Sequence, residues 1–231
     1  MLAILIDPDR VSLDECNDIA SRALTSGIDF FFIGSSILTG HNFEACIRIL
    51  KNTHLPVIIF PGNQSQISDN ADGILFLSLI SGRNAEMLIG RHVLAAPLLK
   101  KTTLEIIPTG YMLVDSGSPT SASYMSGTVP LPRDKDDIAV CTALAGEMLG
   151  MKIIYLDAGS GARLSVSKTM IEAVKNNIQI PLIVGGGIRT PEKAIEICQA
   201  GADILVIGNA VEKDPSVIAE MATAVHLYQP I

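Results

Sequence analysis

Eight short apolar runs, separated by stretches with helical periodicity, recur along the whole chain. Each run is rich in aliphatic residues and is bounded by Gly, Pro, Asp or Asn, which is typical of strands buried on both faces. The predicted strands cover residues 2–6, 29–33, 56–60, 73–77, 103–107, 152–156, 181–185 and 203–207. This alternation predicts one α/β domain over residues 1–231, a (β/α)8 TIM barrel, with a doubly wound open sheet as the alternative.

Helices are predicted in most of the gaps between these strands. The first begins at a capping box on Ser12 and ends near Gly27, and another begins at Thr190 and Pro191. The remaining helices are predicted over residues 42–51, 84–95, 135–149, 166–177 and 210–225. The gap at residues 61–72 is short and polar, so we expect a loop there in place of the third helix.

Three of the predicted strands lie within segments of similar sequence. The sequence IDFFFIG at residues 28–34 resembles ADILVIG at residues 202–208, and ADGILFL at residues 71–77 is a looser copy. Each segment places an Asp at the start of a predicted strand or directly before it. This weak internal repeat supports a barrel built from repeated βα units.

Composition excludes several classes of protein. The chain has a formal net charge of −7 and shows no basic stripe, so nucleic-acid binding is not expected. Its four cysteines lack metal-ligand spacing, which favours a reduced, cytoplasmic setting. Neither a signal peptide nor an apolar run long enough to span a bilayer is recognised. The expected protein is therefore a cytoplasmic one without a transmembrane segment.

One connection stands out by its length. Residues 108–133, after the fifth predicted strand, are rich in Gly, Pro, Ser and Thr. Long loops in compact domains are commonly functional, and on a barrel this loop would lie at the catalytic face. We therefore predict a lid or substrate loop here, with a decorative insertion as the alternative.

Two glycine-rich turns follow the last two predicted strands. Gly186 and Gly187 come after the seventh strand, and Gly208 and Asn209 come after the eighth. Glycine lets a phosphate approach backbone N–H groups, and these two loops form the recurrent phosphate site of barrels. The turns therefore predict a phosphate-bearing ligand, although tight turns without a ligand are the alternative.

An acidic residue closes the sixth predicted strand. Tyr155 and Asp157 are two residues apart, so they point to the same side of the strand. A carboxylate at this end of a barrel can bind hydroxyl groups or act as a base. Gly159, Ser160 and Gly161 follow and offer further backbone donors. A helix-capping or turn role for Asp157 is the alternative.

A second acidic segment ends the first predicted strand. Asp7 and Asp9 offer two carboxylates, which are able to bind Mg²⁺ together with phosphate oxygens. Ser35 and Ser36 end the second strand and can supply a hydroxyl to the same ion. For Asp9 alone, a turn before the Ser12 cap is the favoured interpretation.

The order and content of five motifs carry a resemblance to a known family. The motifs ILIDPD, FIGSS, YLDAGSG, VGGGIRTPEKA and VIGNAVEKD are similar to those of the geranylgeranylglyceryl phosphate synthase family, which includes heptaprenylglyceryl phosphate synthases. The segment PTGYMLVD is similar to that of the longer, second group of this family. The resemblance extends nearly from end to end and also implies a barrel whose third helix is replaced by a loop.

The resemblance implies an Mg²⁺-dependent prenyltransferase of phospholipid biosynthesis. Such an enzyme forms an ether bond between the C3 hydroxyl of sn-glycerol 1-phosphate and a polyprenyl diphosphate, here with geranylgeranyl diphosphate as the expected donor. It also implies a homo-oligomer, a dimer or a hexamer. The apolar helix at residues 138–149 is one candidate interface, with ordinary packing against the barrel as the alternative. A phosphosugar-type barrel isomerase or synthase is the alternative activity, and a non-catalytic phosphate-binding barrel is the third.

Residue roles carry over where the motifs match. Asp7 and Ser36 match the Mg²⁺ ligands, and Tyr155 and Asp157 are the expected catalytic residues. The expected substrate-binding residues are Tyr155, Leu156, Asp157, Ala158, Gly159, Ser160, Gly161, Gly186, Gly187, Gly208 and Asn209. Two positions depart from the family, because Asp157 stands where Glu is frequent and Leu5 stands where some members carry Lys.

An apolar groove is required for the prenyl chain of the expected donor. Its candidates are the long loop around Tyr111, Met112, Tyr124 and Met125, and the aliphatic walls of strands three to five.

Overall fold

A computed structural model describes residues 1–228 of the chain. Within these residues, eight parallel strands close into a barrel in which each strand pairs with the next and β8 pairs with β1. The strands are β1 (Leu2–Ile6), β2 (Phe30–Ile33), β3 (Val57–Ile59), β4 (Gly73–Leu79), β5 (Glu105–Leu113), β6 (Ile153–Asp157), β7 (Leu182–Gly185) and β8 (Ile204–Ile207). The predicted TIM barrel is confirmed, and the open-sheet alternative is wrong.

Helices surround the barrel on the outside. They are α1 (Leu13–Ser26), α2 (Phe43–Lys51), α3 (Arg91–Leu99), α4 (Ser121–Ser126), α5 (Asp136–Met148), α6 (Lys168–Lys175), α7 (Pro191–Gln199), α8 (Asn209–Lys213) and α9 (Val217–Leu227). A π-helical turn, Glu86–Gly90, leads into α3. Residues 60–72, all of them described, contain no helix, which confirms the expected loop between β3 and β4. Over residues 1–228, no helix has both the length and the apolarity needed to cross a bilayer.

Alternating side chains divide the apolar residues into two layers. The inner layer fills the barrel with residues such as Phe30, Phe32, Tyr155 and Ile183. Their neighbours along the strands, Phe31 among them, pack outward against the helices. This alternation follows from the two-residue period of a strand and explains why the predicted strands are apolar throughout.

The long loop after β5 is shorter than predicted. β5 continues to Leu113, and its residues 109–113 pair with residues 153–157 of β6. Pro108 and Gly110 suggested a loop, but the Pro108 carbonyl accepts a backbone bond from Lys152 at 2.8 Å, and a Cβ at Gly110 would lie 2.9 Å from the Ile154 side chain. The glycine is therefore needed for close packing inside the sheet, and the prediction that the loop begins at residue 108 is wrong.

The last predicted helix is divided into α8 and α9. Asp214 between them is extended, with φ −150° and ψ 95°. Its neighbour is Pro215, and the ring of a proline disfavours the helical conformation for the residue before it. The prediction of one helix over residues 210–225 missed this break.

The repeated aspartates have a common structural role at the end of the barrel where the strands begin. Asp29, Asp72 and Asp203 each precede an even-numbered strand. Their carboxylates accept hydrogen bonds from the first backbone N–H groups of β1, β3 and β7, at 2.6, 2.7 and 2.7 Å. Each side chain therefore joins two neighbouring strands, and the repeat predicted from sequence is structural.

Candidate active site

A cavity of about 680 Å³ opens at the end of the barrel where the strands finish. The loops after β1, β2, β6, β7 and β8 line it, together with parts of the β3–β4 connection, α3 and α4. Catalytic sites of this fold lie at the same end. The cavity is therefore the candidate active site.

The glycine turn after β7 approaches the β6 loop closely. Gly186 and Gly187 have φ values of +82° and +72°, which favour glycine. A Cβ at Gly186 would lie 2.6 Å from the Gly159 nitrogen and 2.9 Å from Oδ1 of Asp157. A Cβ at Gly187 would lie 2.8 Å from the Ser165 nitrogen. The missing side chains therefore let the loops after β6 and β7 come into close contact at this edge of the cavity.

Asp157 is buried at the end of β6. Its Oδ2 accepts a hydrogen bond from the Tyr111 hydroxyl at 2.5 Å, and its Oδ1 accepts one from the Gly159 N–H at 2.7 Å. Burial raises the pKa of the carboxyl, while the two hydrogen bonds lower it. A carboxylate with a raised pKa beside a cavity is suited to accept a proton.

Tyr155 lies below Asp157 in the inner layer and is almost fully buried. Its ring stacks on Phe60 with the centroids 5.4 Å apart, and a Cβ at Gly185 would lie 2.5 Å from its hydroxyl oxygen. The Tyr155 side chain is therefore fixed by packing at the floor of the cavity.

Asn209 ties the β6 loop to the β8 loop. Its Oδ1 accepts hydrogen bonds from the Gly161 N–H at 2.9 Å and from the Ser160 hydroxyl at 3.2 Å. Its Nδ2 donates to Glu212 at 3.2 Å, which orients the amide. Burial raises the pKa of Glu212, and the nearby Arg10 guanidinium lowers it.

Asp7 lies on the cavity wall at the end of β1. Its Oδ2 accepts a hydrogen bond from the Ser35 hydroxyl at 3.0 Å and lies 3.3 Å from Nε of Arg10. Ser36, the predicted ligand, lines the same cavity, but the hydroxyl that reaches Asp7 is that of Ser35. Asp9 lies in a turn, but its carboxylate accepts backbone bonds from residues 39 and 40 of the β2–α2 connection and not from residues before the Ser12 cap.

The oxygen atoms at Asp7 fit a magnesium ion. Mg²⁺ takes hard oxygen ligands and is commonly bound by one or two carboxylates with water and phosphate oxygens. Among the described residues, no three His, Cys, Asp or Glu side chains form a cluster able to hold a metal. An ion at this position would therefore depend on Asp7, a serine hydroxyl and oxygens of the ligand.

An apolar arm extends the cavity away from these polar groups. It reaches the outer face of β4, beside the connection that lacks a helix. Its lining residues are Ile67, Ile74, Phe76, Met87, Ala95 and Leu99. His92 packs edge-on against Phe76 with ring centroids 4.3 Å apart, and burial lowers its pKa, so the ring is neutral at pH 7. The arm is therefore suited to a long apolar chain.

Most of the predicted site residues meet at this cavity. Those on its wall are Asp7, Ser36, Tyr155, Asp157, Gly159, Ser160, Gly186, Gly187, Gly208 and Asn209. Leu156 and Ala158 point into the outer layer instead, because they alternate with Tyr155 and Asp157 along the chain. Gly161 lies outside the wall and contacts it through Asn209.

The predicted apolar lid is only partly correct. Tyr111 lies on β5 inside the barrel, and Met112, its neighbour on the strand, packs in the outer layer. Tyr124 on α4 is 84% exposed and lies off the cavity wall, whereas Met125 lines the cavity. Extension of β5 explains the difference, because it moves residues 111 and 112 from a loop into the sheet.

Sequence reasoning missed two residues of the site, Glu212 and Arg91, and assigned Tyr111 to the prenyl groove without its contact with Asp157. Tyr111 bonds Asp157, Glu212 orients Asn209, and Arg91 lines the cavity while donating to the Gly62 carbonyl at 2.8 Å. Glu212 lies within the quoted motif VIGNAVEKD, so the motif offered a signal for it. The contact of Tyr111 joins residues 46 positions apart and has no local signal.

A closed parallel barrel with two glycine turns and a buried carboxylate at one mouth belongs to the class of phosphate-binding barrel enzymes. The chain belongs to the PcrB family, whose model matches residues 2–225. It is 52% identical over 230 residues to a geranylgeranylglyceryl phosphate synthase of Chitinophaga pinensis, covering 99% of this chain and 91% of that protein. It is 55% identical over 224 residues to the Spirosoma linguale protein of the same name, covering 96% and 90%.

A solved structure with the same fold and clear sequence identity supports this assignment. The crystal structure of (S)-3-O-geranylgeranylglyceryl phosphate synthase from Thermoplasma acidophilum, in complex with sn-glycerol-1-phosphate, matches with a TM-score of 0.90 and 36% identity. The match covers 97% of this chain and 92% of that one.

Proposed function

We propose that this protein is a prenyltransferase that joins the C3 hydroxyl of sn-glycerol 1-phosphate to a polyprenyl diphosphate, with geranylgeranyl diphosphate as the expected donor. The observation that carries the proposal is one continuous cavity with a phosphate-type end and an apolar end. A small phosphate-bearing acceptor and a long apolar donor can therefore bind in the same cavity and meet near Asp157 and Asp7. The Thermoplasma relative, crystallised with sn-glycerol-1-phosphate, supports the choice of acceptor.

At the acceptor end, the glycine turns after β7 and β8 would hold the phosphate. Asp157 then lies where it can accept a hydrogen bond from the glycerol hydroxyl. The reaction forms a bond from this hydroxyl oxygen to the first carbon of the prenyl chain and breaks the bond from that carbon to the diphosphate. The hydroxyl proton passes to Asp157, and diphosphate leaves.

At the donor end, Asp7 and Ser36 would hold Mg²⁺, with Ser35 orienting Asp7 through its hydrogen bond. When bound, Mg²⁺ supplies positive charge that stabilises the diphosphate leaving group. Arg10 lies on the same wall, with its Nε 3.3 Å from Oδ2 of Asp7, and adds a positive charge there. Leu5, which stands where some members of the family carry Lys, lines the same cavity.

The apolar arm also separates this function from the phosphosugar alternative. A phosphosugar enzyme would need polar groups for several hydroxyls, whereas the arm at β4 and α3 offers aliphatic and aromatic side chains. The prenyl donor is the ligand that matches this surface.

The test is transfer of radiolabelled sn-glycerol 1-phosphate into an organic phase, with donors from farnesyl to heptaprenyl diphosphate. We expect incorporation that is lost on adding EDTA and that is strongly reduced in Asp157→Asn and Asp7→Asn. The donor series reports the preferred chain length in the same experiment. Absence of incorporation with every donor would contradict the proposal, and full activity in EDTA would contradict the Mg²⁺ assignment.

A homo-oligomeric state and a cytoplasmic location stay predictions. Exposed apolar side chains on α3 and α5 support the first of them, among them Val93, Leu94, Ile138 and Met148. Exposed apolar patches of this kind are typical of surfaces that bind another chain. Light scattering of the purified protein would give its mass in solution.

A further inference from the structure

We propose that Tyr111 is a positioning residue that aims the Asp157 carboxylate at the acceptor hydroxyl. This inference rests on the proposed function, in which Asp157 receives the proton of that hydroxyl. Tyr111 belongs to β5, whereas the residues expected to bind the glycerol phosphate belong to β6 or to the segments that follow β6, β7 and β8.

The sheet register brings the two side chains together. Tyr111 pairs with Tyr155 and Leu113 pairs with Asp157 across β5 and β6. The Tyr111 hydroxyl thus lies beside the carboxylate two residues further along the neighbouring strand, at 2.5 Å from Oδ2. Because the Gly159 N–H holds Oδ1 at 2.7 Å, each carboxylate oxygen has one donor from a different side. The plane of the carboxylate is fixed, and each oxygen keeps a lone pair for a ligand.

Packing holds the Tyr111 ring in place. Its edge-to-face neighbours are Phe60 and Tyr155, with ring centroids 5.7 Å and 5.5 Å away and interplanar angles of 74° and 85°. The ring is 8% exposed, so its hydroxyl has little access to bulk water. A buried hydroxyl without a partner is destabilising, and Asp157 is the partner that this structure gives it.

Tyr111 differs from the other ionisable groups that surround the Asp157 carboxylate. On β6, the remaining ionisable neighbour of Asp157 is Tyr155. Asp157 pairs with Leu113 of β5 and Gly185 of β7, and neither of these residues carries a charge. The ionisable groups elsewhere on the cavity wall are Asp7, Asp9, Arg10, Arg91, His92, Arg189 and Glu212. None of them, over the residues that the structure describes, forms a hydrogen bond or ion pair with Asp157.

The contact also sets the proton affinity of Asp157. Burial raises the pKa of this carboxyl, and the Tyr111 hydrogen bond opposes that effect by stabilising the charged form. Removal of the hydroxyl therefore raises the pKa further. Since the charged form accepts the proton, activity falls as the pH falls through this pKa, and the acid limb moves to higher pH without Tyr111.

The first experiment compares Tyr111→Phe with Tyr228→Phe, which makes the same change at an exposed tyrosine of the described chain, outside the cavity. We expect Tyr111→Phe to lower kcat/KM for sn-glycerol 1-phosphate by about tenfold, as for loss of one hydrogen bond to a charged group. We expect no change in KM for the prenyl diphosphate, and an acid limb shifted to higher pH. A variant with the activity and pH profile of Tyr228→Phe would overturn the inference.

A second experiment tests whether Tyr111 acts through Asp157. In a double-mutant cycle, Tyr111→Phe is made in the wild type and in Asp157→Asn. We expect the effect of Tyr111→Phe to be lost, or nearly so, in the Asp157→Asn background. An equal fold-change in both backgrounds would show that the hydroxyl acts elsewhere and would overturn the inference.

Calorimetric binding of sn-glycerol 1-phosphate separates this inference from the proposed function. If the wild type binds this ligand but transfers it to no donor, the proposed transfer fails while Tyr111→Phe still reports on Asp157 through weaker binding. If binding is unaffected in Tyr111→Phe, the inference fails whether or not transfer occurs. Absence of binding by the wild type would overturn both.

Discussion

Gly186 lies where the loops after β6 and β7 come into contact. Its φ of +82° is a left-handed conformation, and its missing side chain gives room to the Gly159 backbone and the Asp157 carboxylate. The residue therefore satisfies two requirements at once, a backbone conformation and a close approach. Mutation can separate these requirements, because the chain also contains a glycine with a left-handed conformation but without close neighbours at its Cβ position.

Gly186→Ala should impair the binding of sn-glycerol 1-phosphate, whereas Gly150→Ala should not. Gly150 has a φ of +89°, but a Cβ there would meet nothing within 4 Å. Both variants should lose about 1 kcal/mol of stability from left-handed strain. Only the Ala side chain at position 186 must also displace Gly159 or Asp157. We therefore expect the KM of Gly186→Ala for sn-glycerol 1-phosphate to rise at least tenfold, roughly the effect of 1–2 kcal/mol of binding free energy. Thermal melts and KM values are the measurements, and similar KM values for both variants would contradict this account.

At this scale the sequence predicts residues whose role depends on local geometry. Asp157 and Gly186 follow from strand periodicity and from the conformational needs of a turn. The contacts of Tyr111 with Asp157 and of Ser35 with Asp7 do not, because these hydrogen bonds depend on strand register and on the position of a neighbouring strand end. Residues that act on a distant partner need the fold before they can be recognised.

Among the elements, α3 and the helix-free connection between β3 and β4 shape the apolar arm. Beside this connection, Ile74 and Phe76 on the outer face of β4 line the cavity, together with Ala95 and Leu99 of α3. The width of the arm therefore depends on small side chains of one helix.

Ala95→Phe should narrow the arm and shift the enzyme toward shorter donors. Overpacking of this kind costs about 1–3 kcal/mol, so we expect a loss of about tenfold or more in kcat/KM for the longest donors. The matched control is Ala96→Phe, the same change one residue further along α3, where the side chain is exposed. Assays with the donor series would give the preference of each variant, and an unchanged preference in Ala95→Phe would place the prenyl chain elsewhere.

The sequence predicts helices and strands well where the apolar periodicity is strong. It predicts them poorly where a strand contains Gly or Pro, or where Pro interrupts a helical pattern. The eight strands and the missing third helix followed from apolar runs and a polar gap. β5 was cut short because Pro108 and Gly110 are typical of loops, although both fit within this sheet. The break between α8 and α9 was missed despite the ordinary effect of Pro215 on the residue before it.

The whole molecule separates stability from chemistry along the barrel axis. Asp29, Asp72 and Asp203 join neighbouring strands at the end where the strands begin, and the cavity opens at the other end. Changes among these aspartates should therefore alter the free energy of unfolding and leave turnover unchanged.

Asp72→Ala tests this separation. The substitution leaves the first N–H of β3 without its acceptor, which costs about 1–3 kcal/mol for a buried donor. Lys51→Ala is the control, because it removes only the exposed ion pair with Asp72, and such pairs contribute about 0–1 kcal/mol. Denaturant unfolding should show the larger loss for Asp72→Ala, and both variants should keep the kcat of the wild type. A fall in kcat for folded Asp72→Ala would link the two ends of the barrel.

The connection without a helix has a consequence for where a long ligand can lie. In a complete barrel, a helix after β3 would occupy the space beside β4. Here the cavity reaches Ile74 and Phe76 on the outer face of β4, and all eight strands keep their hydrogen-bonded neighbours. A chain of many carbons can therefore lie outside the strands while the sheet that carries the catalytic groups stays closed.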